Sequence, residues 1–190
     1  MTTQVAGRPR DGAIDAAVLR ATVELLERDG YVQLTIGEVA ARAGTSKPAI
    51  YRRWPTKAHL VHDAVFPPQD FAELRPAHDA RAAVRTLLGV ALELLGRPAA
   101  RAALPGLLAD TSADTALASD VLARAAGGTF VWLEQQLAAD ATVRAGVSPR
   151  AVFDLVAGAA FMALMGSGGR KVGKKWIDET VAIVVEGIAA

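Results

Sequence analysis

The chain has 190 residues, 52% of them hydrophobic, and a formal net charge of only +1, so it can bury a sizeable core and must meet any charged partner through a local patch. It contains no cysteine, which excludes disulfides, zinc–cysteine fingers and thiol redox sensing. No G-x-S-x-G elbow, phosphate loop or H-E-x-x-H occurs, and no uninterrupted apolar core follows the basic residues at the start, so the expectation is a cytoplasmic protein that is not an enzyme.

The opening MTTQVAGRPR precedes any helical pattern and reads as a basic arm. Its Arg8 and Arg10 suit a narrow A·T-rich minor groove, and equally well are incidental arginines of a tail. From Asp11 to Asp29, Ile14, Ala17, Val18, Ala21 and Leu25 predict an amphipathic helix ending near Gly30. Thr35 and Glu38 form a capping box, with the carboxylate expected to reach the Thr35 amide, so a second helix starts at Ile36. Ile36, Val39, Ala40 and Ala43 share one face, and Gly44 supplies a left-handed stop. Ser46 caps a third helix in which Pro48 is tolerated in the first turn, and Ile50 and Trp54, four apart, face inward. Trp54-Pro55 ends it and Thr56 caps the next. Two short helices on a tight turn, followed at once by another helix, are helix-turn-helix grammar. Between Ile36 and Lys57 five cations, Arg42, Lys47, Arg52, Arg53 and Lys57, face one anion, Glu38, so this stretch carries +4 and the rest of the chain −3.

These residues resemble the DNA-binding unit of TetR-type transcriptional regulators: Thr35-Ile36, Val39-Ala40, the Ala43-Gly44-Thr45-Ser46 turn, Ile50-Tyr51, Trp54, Lys57 and Leu60. The resemblance is dense from about Gly7 to Phe66. Arg52-Arg53-Trp54 departs from relatives that carry a histidine or second aromatic there, and Thr45 replaces the commoner valine, so base preference does not transfer. The resemblance implies that Lys47 to Arg53 enter the major groove. Arg52 then offers a bidentate fork to guanine, Lys47 meets a base or a phosphate, and Pro48 and Ala49 touch a thymine methyl. Thr35, Thr45, Ser46, Tyr51 and Lys57 suit phosphates. Thr35 and Ser46 serve as helix caps at the same time.

Beyond Phe66, Pro67-Pro68, Phe71 and Pro76 mark a loop, giving a helix-turn-helix unit over 1–66 and a larger helical unit over 67–190. Helices are predicted over Asp79–Leu95, Ala99–Ala109, and Thr115–Val143 with a weak point at Gly127-Gly128; Asp110 to Asp114 forms the intervening turn. Ser148-Pro149 opens a helix that is apolar nearly all round to Gly166, with Asp154 as its one charge from Ala151 onward. Its uncharged run falls short of the roughly 20 residues a bilayer needs, so burial against protein is expected. A last helix follows Lys174-Lys175, with Trp176 at its start. The expected fold is all-α, with about nine helices.

An all-round apolar helix needs two partners. Ala157, Gly158 and Ala160 with Ile177, Val181, Val184 and Ile188 are the candidate homodimer interface, a four-helix contact of the TetR kind that predicts a palindromic double-stranded DNA operator. The resemblance further implies a pocket for a small apolar or amphipathic effector whose occupancy tilts the helix from Lys57. Its candidate lining is Leu104, Leu107, Phe130, Trp132, Phe161, Met162 and Met165, the bulky groups on central helices. Asp154 is either an exposed acid of the first turn or a ligand or dimer contact. His59 and His62 superficially suggest a metal site, but residues three apart on a helix beneath the reading head serve better as surface or core, and no metal, cofactor or catalytic residue is expected. The function that emerges is a ligand-responsive, DNA-binding repressor without membrane contact. The alternative is a DNA-binding structural or division-control protein whose second unit binds a protein.

Overall fold

The computed structural model describes residues 12–67, 77–168 and 170–190, and of 125–127 the backbone alone. Arg8, Arg10, Pro68, Phe71 and Pro76 therefore lie outside the described residues. The described chain is all-helical: α1 Gly12–Gln33, α2 Ile36–Arg42, α3 Lys47–Tyr51, α4 Lys57–Val65, α5 Ala80–Gly96, α6 Pro98–Ala113, α7 Thr115–Ala138, α8 Pro149–Gly166 and α9 Lys174–Ile188.

Local chemistry sets the helix starts. Thr35, Ser46, Thr56, Asp79, Asp114 and Ser148 each accept a hydrogen bond from a first-turn amide, which satisfies a donor that the helix itself leaves without a partner. At Thr35 the box closes differently from expectation. The hydroxyl accepts from the Glu38 amide at 3.2 Å and itself donates to the Glu38 carboxylate at 2.8 Å, in place of the Thr35 amide. Gly44 has φ 65°, the left-handed turn between α2 and α3. Gly30, at φ 77°, breaks the regular helix inside α1 and lets Tyr31 turn into the core.

Two helix limits differ from the sequence reading. α6 runs through Pro105 to Ala113, where a turn was expected from Asp110, because the Asp110 carboxylate is held by Tyr31 and Thr111 donates back to the Leu107 carbonyl at 2.7 Å. α7 runs unbroken past Gly127-Gly128 and stops at Ala138. Residues 142–144 then pair with the C-terminus, the Ala190 amide donating to the Thr142 carbonyl at 2.9 Å and the Arg144 amide to that of Ile188 at 3.0 Å.

Two buried clusters hold the molecule. One joins Leu25, Leu26, Leu34, Val39, Ile50, Trp54 and Leu60 of α1–α4 to Ala99, Ala103 and Leu107 of α6 and Leu117 of α7. The other packs Val84 and Leu88 of α5, Leu133 of α7, Val152, Val156 and Ala160 of α8, and Val181, Val184 and Ile188 of α9. Packing thus does not divide at residue 66. α6, the second described helix beyond residue 66, completes the core of the first four, with a Cβ at Gly106 excluded by the Tyr31 ring.

α8 is long and apolar enough, by length and composition alone, to cross a membrane. It nevertheless sends Val152, Val156 and Ala160 into the protein core, and Asp154 pairs with Arg150 one turn earlier at 2.7 Å, the exposed-acid reading of that residue.

Candidate nucleic-acid interface and ligand cavity

α3 is five residues long and is held by one face only. Ile50 is buried and Trp54, just beyond the helix, packs beside it, which turns Lys47, Pro48, Tyr51 and Arg52 outward. Thr35 and Ser46 are exposed on the same unit, while Ala49 and Thr45 are half-buried. The cations separate into two groups. Arg42 pairs with Glu24 at 2.5 Å, Arg53 pairs with Asp15 and donates to the Ala49 carbonyl, and Lys57 lies 4.3 Å over the Tyr31 ring. Burial lowers the Lys57 pKa, and the charge of Asp110 opposes that shift. To reach a phosphate, Lys57 must leave its ring. Lys47 and Arg52 keep exposed side chains without an acidic partner among the described residues. Lys47 also lies across α2 where Gly37 has no side chain: a Cβ there would stand 2.9 Å from its Cε. Composition alone could not separate the committed cations from the uncommitted ones, because their partners, Asp15, Glu24 and Tyr31, come from α1.

Below this head, α4 to α8 enclose a cavity of about 580 Å³ with an overwhelmingly apolar wall. Leu104, Leu107 and Phe161 line it as the sequence suggested. The other four candidates do not. Trp132 is buried in the second core, Phe130 stands behind the wall edge-on to Phe153 at 5.3 Å, and Met162 and Met165 point outward at 67% and 65% exposure. The reason is helical phase: Phe161 and Met162 are neighbours in sequence and face about 100° apart on α8.

The same phase corrects the proposed interface residues. Ala160, Val181, Val184 and Ile188 are spent inside the chain's own core and Ile177 packs against it, while Ala157 and Gly158 border the cavity. What α8 and α9 leave without a partner is Leu155 at 61% exposure, Met162, Met165 and, on α9, Ile183 at 70%.

Polar groups at the cavity escaped the sequence reading. His62 lines it and is 3% exposed. Its Nδ1 lies 3.1 Å from Asp63 Oδ1, and Asp63 Oδ2 accepts from Trp54 Nε1 at 3.0 Å and from Arg124 Nη1 at 2.9 Å. Burial pushes the Asp63 carboxyl up, but the bonds from His62 and Trp54 and the Arg124 charge outweigh it and hold the pKa below the ordinary carboxylate value. His59 turns elsewhere, with Nδ1 2.9 Å from the Thr56 hydroxyl and Nε2 3.8 Å from Asp120. The two histidines do not converge, and no group of three or more metal-ligating side chains occurs among the described residues.

Fold and exposed face together define a helix-turn-helix protein with an all-α second unit built around a cavity. Residues 18–64 match the family model described as bacterial regulatory proteins, tetR family. An uncharacterised helix-turn-helix-type transcriptional regulator of Mycobacterium bovis is 46% identical over 63 residues, 31% of each chain, and the DNA-binding transcriptional repressor TetR of Mycobacteroides abscessus is 46% identical over 57 residues, 27% of this chain and 30% of that one. The match thus spans about a third of the length of these curated relatives. A solved TetR transcriptional regulator from Rhodococcus sp. RHA1 shares the fold over 94% of this chain and 96% of its own, with TM-score 0.65 and 21% identity. Over residues 18–64 the chain thus resembles the DNA-binding unit of TetR-type regulators, and its whole fold is similar to theirs.

Proposed function

We propose that the protein is a sequence-specific DNA-binding transcriptional regulator of the cytoplasm, a repressor that binds a palindromic operator as a homodimer and is released by a small apolar or amphipathic molecule. The observation that carries this reading is the outward face of α3, where Lys47 and Arg52 are presented without acidic partners beside the exposed Tyr51 and the capped helix starts at Ile36 and Lys47. Such a face offers a fork for a guanine edge and hydroxyls and amides for phosphates. Arg53 serves the reading head from within, by tying α3 to Asp15 of α1. The outer faces of α8 and α9 supply the dimer contact, and the cavity beneath α4 supplies the effector site.

The test is fluorescence anisotropy on DNA from upstream of the protein's own gene and on scrambled DNA, at two salt concentrations. Tight binding to the first, with a weak and strongly salt-dependent affinity for the second, is the expected result. Equal, weak binding to both, together with many dispersed sites across the genome, would replace the regulator with a structural DNA-binding role.

A further inference from the structure

Among the described residues, His62 is the side chain of the cavity wall that combines deep burial with an unused hydrogen-bonding atom. Nδ1 is committed to Asp63, while Nε2 is buried without a hydrogen-bond partner among the described residues. A buried polar atom left in this state normally finds a partner in a ligand or in water. The wall around it is apolar, with Thr111, whose hydroxyl donates to the backbone, and Arg124, already paired with Asp63, among its few polar members.

We propose that His62 is the polar anchor of this cavity, and that the ligand it takes is an uncharged apolar molecule donating one hydrogen bond, from a hydroxyl or phenol, to His62 Nε2. The direction of that bond follows from Asp63. An ionised carboxylate can only accept, so the shared proton sits on His62 Nδ1, and when the ring is neutral Nε2 presents a lone pair. A ligand that only accepts would meet lone pair with lone pair. An anionic ligand would have to desolvate its charge beside an arginine that Asp63 already occupies. The anchor also lies two hydrogen bonds from Trp54 at the end of the reading helix, through Asp63. The inference rests on the reading of this cavity as the effector site.

The test is calorimetric titration of the full chain at pH 7 with 2-naphthol, 2-methoxynaphthalene and 2-naphthoate, which share a ring system and differ in donating, only accepting, and carrying a charge. The expected result is that 2-naphthol binds about five- to tenfold more tightly than its methyl ether, the worth of one buried hydrogen bond. His62→Phe keeps the ring and should bind the two alike. His62→Gln, which returns a polar group to the Nε2 position, should keep a preference of at least about threefold and guards against a fold defect in the first variant. Equal affinities for the two in the wild-type protein, no binding of either up to its solubility limit, or tightest binding of 2-naphthoate would overturn the proposal. No DNA is present, so a protein that recognised no operator would still give a clear answer here.

Discussion

Single side chains decide what the reading head can do, and the decisive ones are those without a partner. Of the five cations near the turn, Arg42, Arg53 and Lys57 are held by Glu24, Asp15 and Tyr31, so substituting them should disturb the head before it disturbs contact with DNA. Arg52 is different. Arg52→Ala should leave the melting temperature within about a degree of wild type and weaken operator binding by about 1–3 kcal/mol, with a smaller loss on scrambled DNA; anisotropy titrations of both DNAs measure it. Unchanged operator affinity would remove Arg52 from the interface. Asp63 belongs to the same scale because three elements end on its carboxylate. A carboxyl whose folded pKa is depressed favours folding above its unfolded value of about 4 and loses that contribution as pH falls through the folded value. Wild-type urea midpoints should therefore drop between pH 5 and the acid limit more steeply than those of Asp63→Asn, which should already be about 1–3 kcal/mol less stable at pH 7. Parallel pH profiles for the two proteins would show that the hydrogen bonds from Trp54 and His62 do not depend on the charge.

At the scale of elements, the contact between α1 and α6 ties a helix of the cavity wall to the core of the head. The Tyr31 ring packs against Gly106, its hydroxyl donates to Asp110 at 2.5 Å, and Lys57 of α4 caps its ring; Leu104 and Leu107 on the same α6 line the cavity. Gly106→Ala would elsewhere stabilise a helix by about 0.5–1 kcal/mol. Here the added methyl overlaps the Tyr31 ring, so the expectation is destabilisation of about 1–3 kcal/mol, measured by denaturant unfolding. Most of that loss should vanish when Gly106→Ala is combined with Tyr31→Ala, and additive losses would show that the two residues are not in contact. Little of this joint was legible in the sequence. The short-range signals were: Thr35, Ser46, Thr56 and Ser148 each cap the helix that their positions announced, and Gly44 turns where expected, because caps and turns are settled within four residues. Tyr31 to Asp110 is a contact across 79 residues, and Asp110 itself was assigned to a turn because Asp, Thr and Ser together mimic one. The cavity was half legible for the same reason. Leu104, Leu107 and Phe161 were found as bulky groups on central helices, whereas His62 and Arg124 join the wall only through the way α4 and α7 meet.

For the whole molecule, the proposed homodimer requires that faces of α8 and α9 be left for a second copy. Apolar spacing could not identify them, since a helix that is apolar on every side gives no phase, and of the residues first chosen for the interface Ala160, Ile177, Val181, Val184 and Ile188 proved to be those the protomer needs for itself, while Gly158 is exposed. The fold supplies the phase. Val152, Val156 and Ala160 point inward at steps of four, so the stripe Leu155, Gly158, Met162 and Met165 points outward, and Ile183 with Gly187 lies outward on α9. Glycine in each stripe allows two helices to approach closely, and the outward methionines adapt to whatever surface they meet. Two kinds of substitution then have opposite signatures. Val184→Glu buries a charge in the second core and should lower monomer stability by several kcal/mol, which says nothing about association. Leu155→Glu combined with Ile183→Glu places two charges on the outer faces. That variant should melt within a few degrees of wild type when extrapolated to low concentration, yet sediment as a monomer and bind a palindromic operator at least about tenfold more weakly, because each half-site must then be held by a separate molecule. A dimer that survives both charges in the ultracentrifuge would move the contact to another surface and separate the two reading heads by a distance that α8 and α9 do not set.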